Sequence, residues 1–264
     1  MVKKVILSAK GEHNVIKRLI EDLKCSNDID LKLHNPNKGL LDLDLLDELF
    51  ENTDLLVVKV GGDSSLDLLH YAKIHSIPTI QNVDTVLQCT NKVALDQALR
   101  NIFNKNKTIL KNFKLAKAWT YRLNNVEQFK EWAKDKLPIV LKSHYQHEEY
   151  NRFNFLMRKT HEVHKFLDLY GKYLFTDLYI QQFIECDGID RKVYVIGNNV
   201  YGVKRENPIY IYLRENPKSI DVSKIQTKPK KYYLIDLNDF PGFKGIKDAH
   251  KKIFNYIIDC INDN

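Results

Sequence analysis

The most informative stretch of this chain lies close to the carboxyl end and reads Ile235-Asp236-Leu237-Asn238-Asp239-Phe240-Pro241-Gly242-Phe243. It begins as an apolar strand and stops at a Pro-Gly turn. Because side chains alternate between the faces of a strand, Asp236 and Asn238 are predicted to share one face. Two oxygen ligands so placed suit Mg²⁺ when nucleotide phosphates complete its coordination. An ordinary strand end with polar caps would show the same residues, so this pattern alone leaves both interpretations open.

Three short strands are predicted upstream, within residues 179–205. An acidic, glycine-containing connection separates the first two strands, and the turn Gly197-Asn198-Asn199 separates the last two. In the middle strand the side chains assigned to apolar packing are Val193, Val195 and Ile196. The pattern therefore predicts antiparallel strands close to the candidate metal ligands.

Several charged residues follow these strands. Asp190, Lys192 and Tyr194 are predicted to share one face of the middle strand, and the third strand adds Lys204 and Arg205. Cations on neighbouring strands beside a metal-competent segment predict an anion-binding cleft. A solvated charged face of an antiparallel sheet is the alternative.

Five segments follow one another in a characteristic order: Pro138-Ile139-Val140-Leu141-Lys142, Gln181-Gln182-Phe183-Ile184, Gly188-Ile189-Asp190-Arg191-Lys192-Val193, Lys204-Arg205, and Asp236-Leu237-Asn238 with Phe240-Pro241-Gly242-Phe243. In this order they resemble the ATP-grasp superfamily. Among its branches they most resemble the RimK-type amino acid ligases and the inositol trisphosphate kinases. The resemblance covers roughly residues 78–250. It points to the superfamily and leaves the branch open.

The resemblance implies an α/β protein with the ATP-grasp fold, in which two α+β subdomains clasp ATP. Residues 1–82, where strands alternate with helices, are expected to form a small parallel-sheet pre-ATP-grasp domain. Residues 83–264 are expected to form the ATP-grasp domain, with a lid subdomain at about residues 108–180.

Three local predictions accompany this division. A helix after Gly61-Gly62 is expected to be capped by Asp63 or Ser64. Residues 147–170 are expected to form one long helix. Residues 206–231 contain three prolines and no helical stripe, and this departs from the family, which carries a helix there before a further metal carboxylate. Glu206, Glu215 or Asp221 is the candidate substitute for that carboxylate.

The resemblance also assigns nucleotide-binding roles. Lys142 ends an apolar strand, where a buried ammonium is costly without an anionic partner, and it matches a lysine that reaches the ATP phosphates. Lys92 matches the second phosphate lysine, although a surface lysine at a helix start would have the same context. Glu185, Asp187 and Asp190 are candidates for contacts to the ribose, and Asp190 is the one that matches the family's motif. The expected adenine-binding hinge is Gln181, Gln182, Phe183 and Ile184. Lys204 is a further residue expected to bind ATP.

Lys192 and Arg205 are the expected catalytic residues, which would neutralise charge on the transferring phosphoryl group, and Asp236 and Asn238 are the expected Mg²⁺ ligands. Lys192 stands where the ligases resembled here carry arginine and the inositol kinases carry lysine. His144 and His147 lie where many relatives have a glycine-rich loop, and the kinases are similar in having histidine there. A solvent-exposed polar loop is the alternative.

Composition bounds the partners. The chain has 264 residues, a formal net charge of +7 and an apolar fraction of 44%, which excludes a disordered chain. The charge favours an anionic small-molecule substrate or an acidic peptide, although a lysine-rich proteome would give the same balance. Nucleic acid is a weaker expectation because no recognised basic-aromatic motif is present.

Compartment is predicted from the cysteines and the hydropathy pattern. Cys25, Cys89, Cys186 and Cys260 are widely separated, as expected of free thiols in a reducing compartment. We expect no signal peptide and no membrane span of about 20 apolar residues, hence a cytoplasmic protein.

Three functions remain open at this stage. The first is a RimK-type ligase, which uses ATP to convert a carboxylate to an acyl phosphate that an amine then attacks. The second is an inositol or sugar phosphate kinase, which transfers the phosphate to a hydroxyl. The third is a nucleotide-binding module without turnover.

Overall fold

The structure is a computed structural model, and it describes residues 2–38, 40–59, 61–145, 153–174, 177–215 and 232–263. Two compact units are present. The first consists of Met1–Leu87, Lys192–Val203 and Asn238–Asn264, and the second of Gln88–Arg191 and Lys204–Leu237. The division at residue 82 stays a prediction, since the first unit also takes in later parts of the chain.

A parallel sheet forms the centre of the first unit. Its strands are β1 (Lys3–Ser8), β2 (Ile29–His34) and β3 (Thr53–Val58), in the order β2-β1-β3. The helices are α1 (Asn14–Cys25), α2 (Leu46–Phe50), which follows a 3₁₀ turn at Leu43–Leu45, and α3 (Asp63–Ile74). The apolar ends of β1 and β3 are buried, as expected of parallel strands covered on both faces. The predicted small parallel sheet is therefore confirmed.

Two local predictions for this unit need correction. Gly62 precedes α3 with no side-chain cap, and Asp63 is the first helical residue, so neither Asp63 nor Ser64 caps the helix. The pattern Pro78-Thr79-Ile80 predicts the start of a fourth strand, but the structure has only a single bridge there, between Leu56 and Thr79, before the next helix, α4 (Val83–Thr90).

The last helix, α9 (Ala249–Asn262), completes the core of the first unit. Its buried residues Ile253, Ile257 and Ile261 recur about every helical turn, and they belong to one cluster with Leu19 and Leu23 of α1. A helix with such a stripe has to bury it against a partner. The helices α1 and α9 therefore stabilise each other although they lie near opposite ends of this sequence.

Strands β9 (Ile189–Ile196) and β10 (Asn199–Glu206) form a two-stranded hairpin. Tyr194 and Ile196 are buried, whereas Val193 and Val195 are 68% and 61% exposed. The predicted packing role of Val193 and Val195 is therefore wrong. Alternation along the strand places them on the face opposite to Tyr194, and Ile196 shares the Tyr194 face.

An antiparallel sheet forms the centre of the second unit. Its strands, in the order β5-β8-β6-β7, are β5 (Ala118–Tyr121), β6 (Ile139–Ser143), β7 (Asn154–Met157) and β8 (Leu178–Gln182). Helices α6 (Val126–Ala133) and α7 (Glu162–Tyr170), the latter continued by a 3₁₀ turn at Gly171–Tyr173, share a buried cluster with the sheet around Phe129 and Phe166. Elsewhere in this unit lie α5 (Lys92–Lys105), α8 (Pro208–Glu215), and the parallel pair of β4 (Phe113–Leu115) with β11 (Tyr232–Leu234).

The single long helix expected at residues 147–170 is wrong over residues 153–161, whereas residues 162–170 are helical as expected. Phe153 and Met157 are buried, and the intervening chain pairs with β6 as strand β7. Helix α7 begins only at Glu162, whose carboxylate accepts the backbone N–H groups of Arg158 and Lys159 at 2.6 and 3.1 Å. Apolar residues at 153, 155 and 157 fit a strand period, and this outweighs their fit to a helix. Residues 147–152 lie outside the described residues.

The expected absence of a helix after β10 is also wrong. Helix α8 starts at Pro208, whose fixed φ and missing N–H suit the first turn. The Asn207 side chain accepts the Ile209 N–H at 2.8 Å and caps the helix. Of the three candidate carboxylates, Glu206 ends β10, Glu215 ends α8, and Asp221 lies outside the described residues. No helix in the described part of the chain is long and apolar enough to span a membrane.

Candidate active site

Lys142 and Gln181 lie on neighbouring strands of the antiparallel sheet. Lys142 is 8% exposed, and its Nζ donates to Gln181 Oε1 at 2.8 Å. Burial lowers the pKa of Lys142 to about 8, the nearby Asp236 carboxylate acts in the opposite direction, and Lys92 lowers the pKa further. A buried ammonium with a neutral partner is the arrangement expected of a lysine that binds an anion.

Lys92 is the first residue of α5 and is only 4% exposed. The Asn91 side chain caps the helix by accepting the N–H groups of Val93 and Ala94, both at 3.0 Å. The Lys92 N–H donates to the His144 carbonyl oxygen at 3.1 Å, just beyond the end of β6. The cap and this hydrogen bond fix the Lys92 backbone beside the strand that carries Lys142.

Asp236 forms an ion pair with Lys92 in this structure. It follows β11, which ends at Leu234, so the expected placement of Asp236 and Asn238 on one strand face is wrong. Residues 235–237 do not continue the strand, because β11 pairs with β4 only over Tyr232, Tyr233 and Leu234. A residue predicted to bind a metal thus neutralises a residue predicted to bind phosphate.

Tyr179 and Asp96, which were not among the predicted site residues, extend the site. Gln181 Nε2 donates to the Tyr179 hydroxyl at 3.5 Å, and that hydroxyl donates to Asp96 Oδ1 at 3.3 Å. Burial, followed by the Asp96 charge, raises the pKa of Tyr179, so the hydroxyl stays protonated. Asp96 also accepts from Arg100 at 2.6 Å. The alternation of Lys142, Tyr179 and Gln181 on one sheet face was the only available signal.

These groups contact one another directly. The space enclosed by Lys92, Asp96, Tyr179, Gln181 and Asp236 is about 10 Å³, which is near the minimum for one water molecule. In this arrangement the two lysines are therefore satisfied by a carboxylate and an amide of the protein itself.

The expected hinge, Gln181 to Ile184, begins with the last two residues of β8 and continues past the end of the strand. The Gln182 N–H donates to the Lys117 carbonyl at 2.8 Å, and the Phe183 N–H donates to the Pro138 carbonyl at 3.1 Å. The Phe183 ring stacks on Tyr210 of α8 at 6.2 Å between centroids. The two amides are used within the protein, so adenine recognition by this segment stays a prediction.

Asp190 and Arg205 pair with each other across the hairpin. Arg205 Nη2 donates to Asp190 Oδ2 at 3.1 Å, and Asn207 Nδ2 donates to Asp190 Oδ1 at 2.6 Å. Lys204 is exposed on β10. The ribose role of Asp190 and the phosphate roles of Lys204 and Arg205 remain predictions.

Lys192 and Asn238, two further predicted site residues, belong to the first unit, where Lys192 is half-buried and Asn238 is exposed. His147 lies outside the described residues. Within the described part of the chain, no three His, Cys, Asp or Glu side chains come together as a metal site. The metal assignment therefore stays a prediction.

The Phe-Pro-Gly-Phe turn packs within the first unit. Phe240 and Phe243 are buried edge to face, with ring centroids 5.5 Å apart. Lys59, which follows β3, donates from Nζ to the Phe240 carbonyl at 3.0 Å. Burial lowers the pKa of Lys59, and Asp239 acts in the opposite direction. The sequence did not indicate Lys59.

Comparisons with known proteins identify the fold. No protein-family model matches the chain, and no curated protein matches its sequence. An ATP-grasp RimK domain protein from Sphaerobacter thermophilus is similar in structure over 96% of this chain and 98% of its own, at 16% identity and a TM-score of 0.63. A D-alanine–D-alanine ligase from Bacillus anthracis is similar over 99% of this chain and 97% of its own, at 14% identity and a TM-score of 0.61.

A carboxyaminoimidazole ribonucleotide synthase from Aspergillus clavatus, solved with ATP, is similar over 78% of this chain and 54% of its own, at 13% identity and a TM-score of 0.55. The chain therefore has the ATP-grasp fold, which is the fold that the sequence resemblance implied. At these identities the comparisons show the fold alone.

Proposed function

We propose that this chain is an ATP-dependent ligase that joins a carboxylate to an amine through an acyl phosphate. The observation that carries the proposal is the convergence of two buried lysines, Lys92 and Lys142, on one carboxylate in an ATP-grasp fold. The D-alanine–D-alanine ligase among the similar structures supports this choice of reaction. A RimK-type ligase is the specific form that the sequence resemblance favours.

The two lysines would hold the phosphates of ATP. Asp236 now neutralises Lys92, and a triphosphate carries enough negative charge to replace it there. Lys142 is already desolvated, so its interaction with a phosphate is weakened little by water. Gln181 and Tyr179 would keep the Lys142 ammonium in place during this exchange.

The residues fit a Mg²⁺ ion in part. Mg²⁺ in phosphate-transferring sites commonly uses one or two carboxylates together with substrate phosphates and water. Asp236, once separated from Lys92, would be the carboxylate ligand, and Asn238, two residues later, the predicted second oxygen ligand. When bound, the ion would supply positive charge to the transferring phosphoryl group.

The reaction needs no side-chain nucleophile. A substrate carboxylate attacks the γ-phosphorus and ADP leaves, after which the amine attacks the acyl carbon and phosphate leaves. Lys192 and Arg205 are proposed to stabilise the charge on the phosphoryl oxygens. Arg205 would have to exchange Asp190 for the phosphoryl group, because the two are now paired. An anionic small molecule or an acidic peptide is the proposed substrate.

A kinase is the second candidate, favoured by Lys192 at the position where the resembled ligases carry arginine. Phosphorus NMR after incubation with ATP, Mg²⁺ and pooled acceptors separates the two reactions. A ligase releases inorganic phosphate only when a carboxylate and an amine are both present, whereas a kinase leaves phosphate on a single polyol.

Lys142→Met tests the site itself. We expect ADP formation to fall at least a hundredfold, because a buried cation facing the transferring phosphate is lost. Lys165→Met, at an exposed position of α7, is the control and should retain full turnover. Unchanged turnover in Lys142→Met would overturn the proposed site, and ATP binding without ADP formation under all acceptor conditions would favour a nucleotide-binding module.

A further inference from the structure

A second cavity in the second unit has no role in the proposed reaction. It has a volume of about 420 Å³ and lies against the last turns of α5, the turn that follows, and β4. This volume falls within the range of about 300 to 1,000 Å³ usual for small-molecule sites. Its described lining contains Arg100, Lys107, Lys111 and Lys114 and no carboxylate.

The turn that carries two of these lysines has an ordered backbone. The N–H groups of Asn106, Leu110 and Phe113 donate to the carbonyls of Ile102, Asn106 and Leu110 at 3.0, 2.9 and 2.8 Å. This succession of hydrogen bonds fixes the backbone on which Lys107 and Lys111 stand. The turn therefore places Lys107 and Lys111 at the same cavity.

The charge of the cavity comes mainly from the three lysines. Arg100 donates from Nε and Nη2 to Asp96 at 2.6 and 3.1 Å, so its charge is largely balanced. Lys107, Lys111 and Lys114 are exposed at the cavity and carry three positive charges. Such a set matches the charge of a di- or triphosphate, and lysine ammonium groups are common phosphate ligands.

Aromatic rings line the same cavity. Phe103 is half-buried, and Phe113 is 45% exposed although its ring lies 5.7 Å from that of Tyr232. Exposed aromatic faces beside cations suit a planar base carried on a phosphate chain, because bases stack on rings while the ammonium groups bind the phosphates.

We propose that this cavity binds a second nucleoside di- or triphosphate, with the phosphates against Lys107, Lys111 and Lys114 and the base against Phe103 and Phe113. Leu115 lines both this cavity and the small space beside Lys92. Arg100 also contacts Asp96, which accepts from Tyr179. A nucleotide bound here would therefore lie against side chains that contact the candidate active site.

Hydrogen–deuterium exchange with ADP tests the proposal locally. We expect ADP to protect residues 100–115 in the wild-type chain. Substitution of all three lysines by glutamine, at Lys107, Lys111 and Lys114, should abolish this protection and weaken ADP binding there at least tenfold. The matched control substitutes glutamine for three exposed helical lysines, Lys24, Lys165 and Lys251. It removes the same net charge away from the cavity, so the protection of residues 100–115 should not change.

Two further arms complete the test. Lys142→Met should keep the protection of residues 100–115, so failure of the proposed active site and failure of this cavity are distinguishable. Inorganic tripolyphosphate should protect the segment at least tenfold more weakly than ADP. Protection that survives the triple cavity substitution, or equal binding of tripolyphosphate and ADP, would overturn the assignment.

Discussion

Burial lowers the pKa of Lys142 to about 8 from the ordinary lysine value of 10.5. Between these two pH values the unfolded chain binds one more proton than the folded chain, so the free energy of unfolding rises with pH. We expect wild type to gain about 1–3 kcal/mol over this window relative to Lys142→Met. Urea titrations between pH 7 and pH 10.5 would measure the difference.

Lys165→Met serves as the reference for that pH series, because it removes an exposed lysine from α7 and keeps Lys142. The stability cost of Lys142 is fully present below pH 8 and disappears as the group deprotonates. Parallel curves for wild type and Lys142→Met across this range would contradict the assignment of a desolvated ammonium.

Asp236 gives a second prediction for a single side chain. Asp236→Asn removes the charge that faces buried Lys92, and we expect a loss of about 1–3 kcal/mol in the free energy of unfolding. ATP should restore more stability to this variant than to wild type, because phosphate supplies the missing anion. Thermal unfolding with and without ATP would show the larger shift, and an equal shift would count against phosphate binding at Lys92.

The same variant should lose the Mg²⁺ dependence of ATP binding, since the proposed carboxylate ligand becomes an amide. Calorimetric titration with and without Mg²⁺ would detect this. Asp248→Asn, at the start of α9, is a control that keeps Asp236. Retained Mg²⁺ dependence in Asp236→Asn would remove the carboxylate from the proposed metal site.

Helix α5 positions Lys92 through its amino-terminal cap. Asn91→Ala removes a side-chain oxygen that accepts two backbone N–H groups, and we expect a loss of about 1 kcal/mol in stability. Because Lys92 is the next residue, ATP affinity should fall as well. Asn91→Ser keeps a capping oxygen and should retain most of both. If Asn91→Ala and Asn91→Ser bind ATP equally, the cap does not position the lysine.

Elements with a clear local pattern could be predicted from the sequence. The apolar run 138–141 ending in Lys142 required both a strand and an anion near its end, and β6 carries a buried lysine. Residues 153–157 fitted either a helix or a strand, and pairing with β6 decided for the strand. Only the tertiary fold could decide that case, because the competing periods are not distinguishable over so few residues.

The candidate site was predictable only in part, because its members come from distant segments. Lys92 and Lys142 could be named individually, since each resembles a phosphate lysine. Their relation to Asp236 could not be derived, because 144 residues separate Lys92 from Asp236. Tyr179 and Asp96 were missed for the same reason, as neither follows a local motif.

At the scale of the whole molecule, the first unit depends on the end of the chain. Deletion of residues 238–264 would remove α9 and expose the apolar stripe of α1. We expect β1 and β3 to lose their amide protection from hydrogen exchange. Each Å² of apolar surface that becomes exposed at this face removes about 25 cal/mol of stabilisation. Deletion of residues 263–264 alone is the control. Retained protection of β1 after the larger deletion would show that α1 needs no partner helix.

This dependence on α9 has a consequence during synthesis on the ribosome. The nascent chain would present α1 with an unburied apolar stripe until α9 has left the exit tunnel, after the entire second unit has been made. Apolar surface that stays exposed for so long favours aggregation during translation. A folding intermediate captured on stalled ribosomes should therefore contain a formed antiparallel sheet together with an incomplete parallel one.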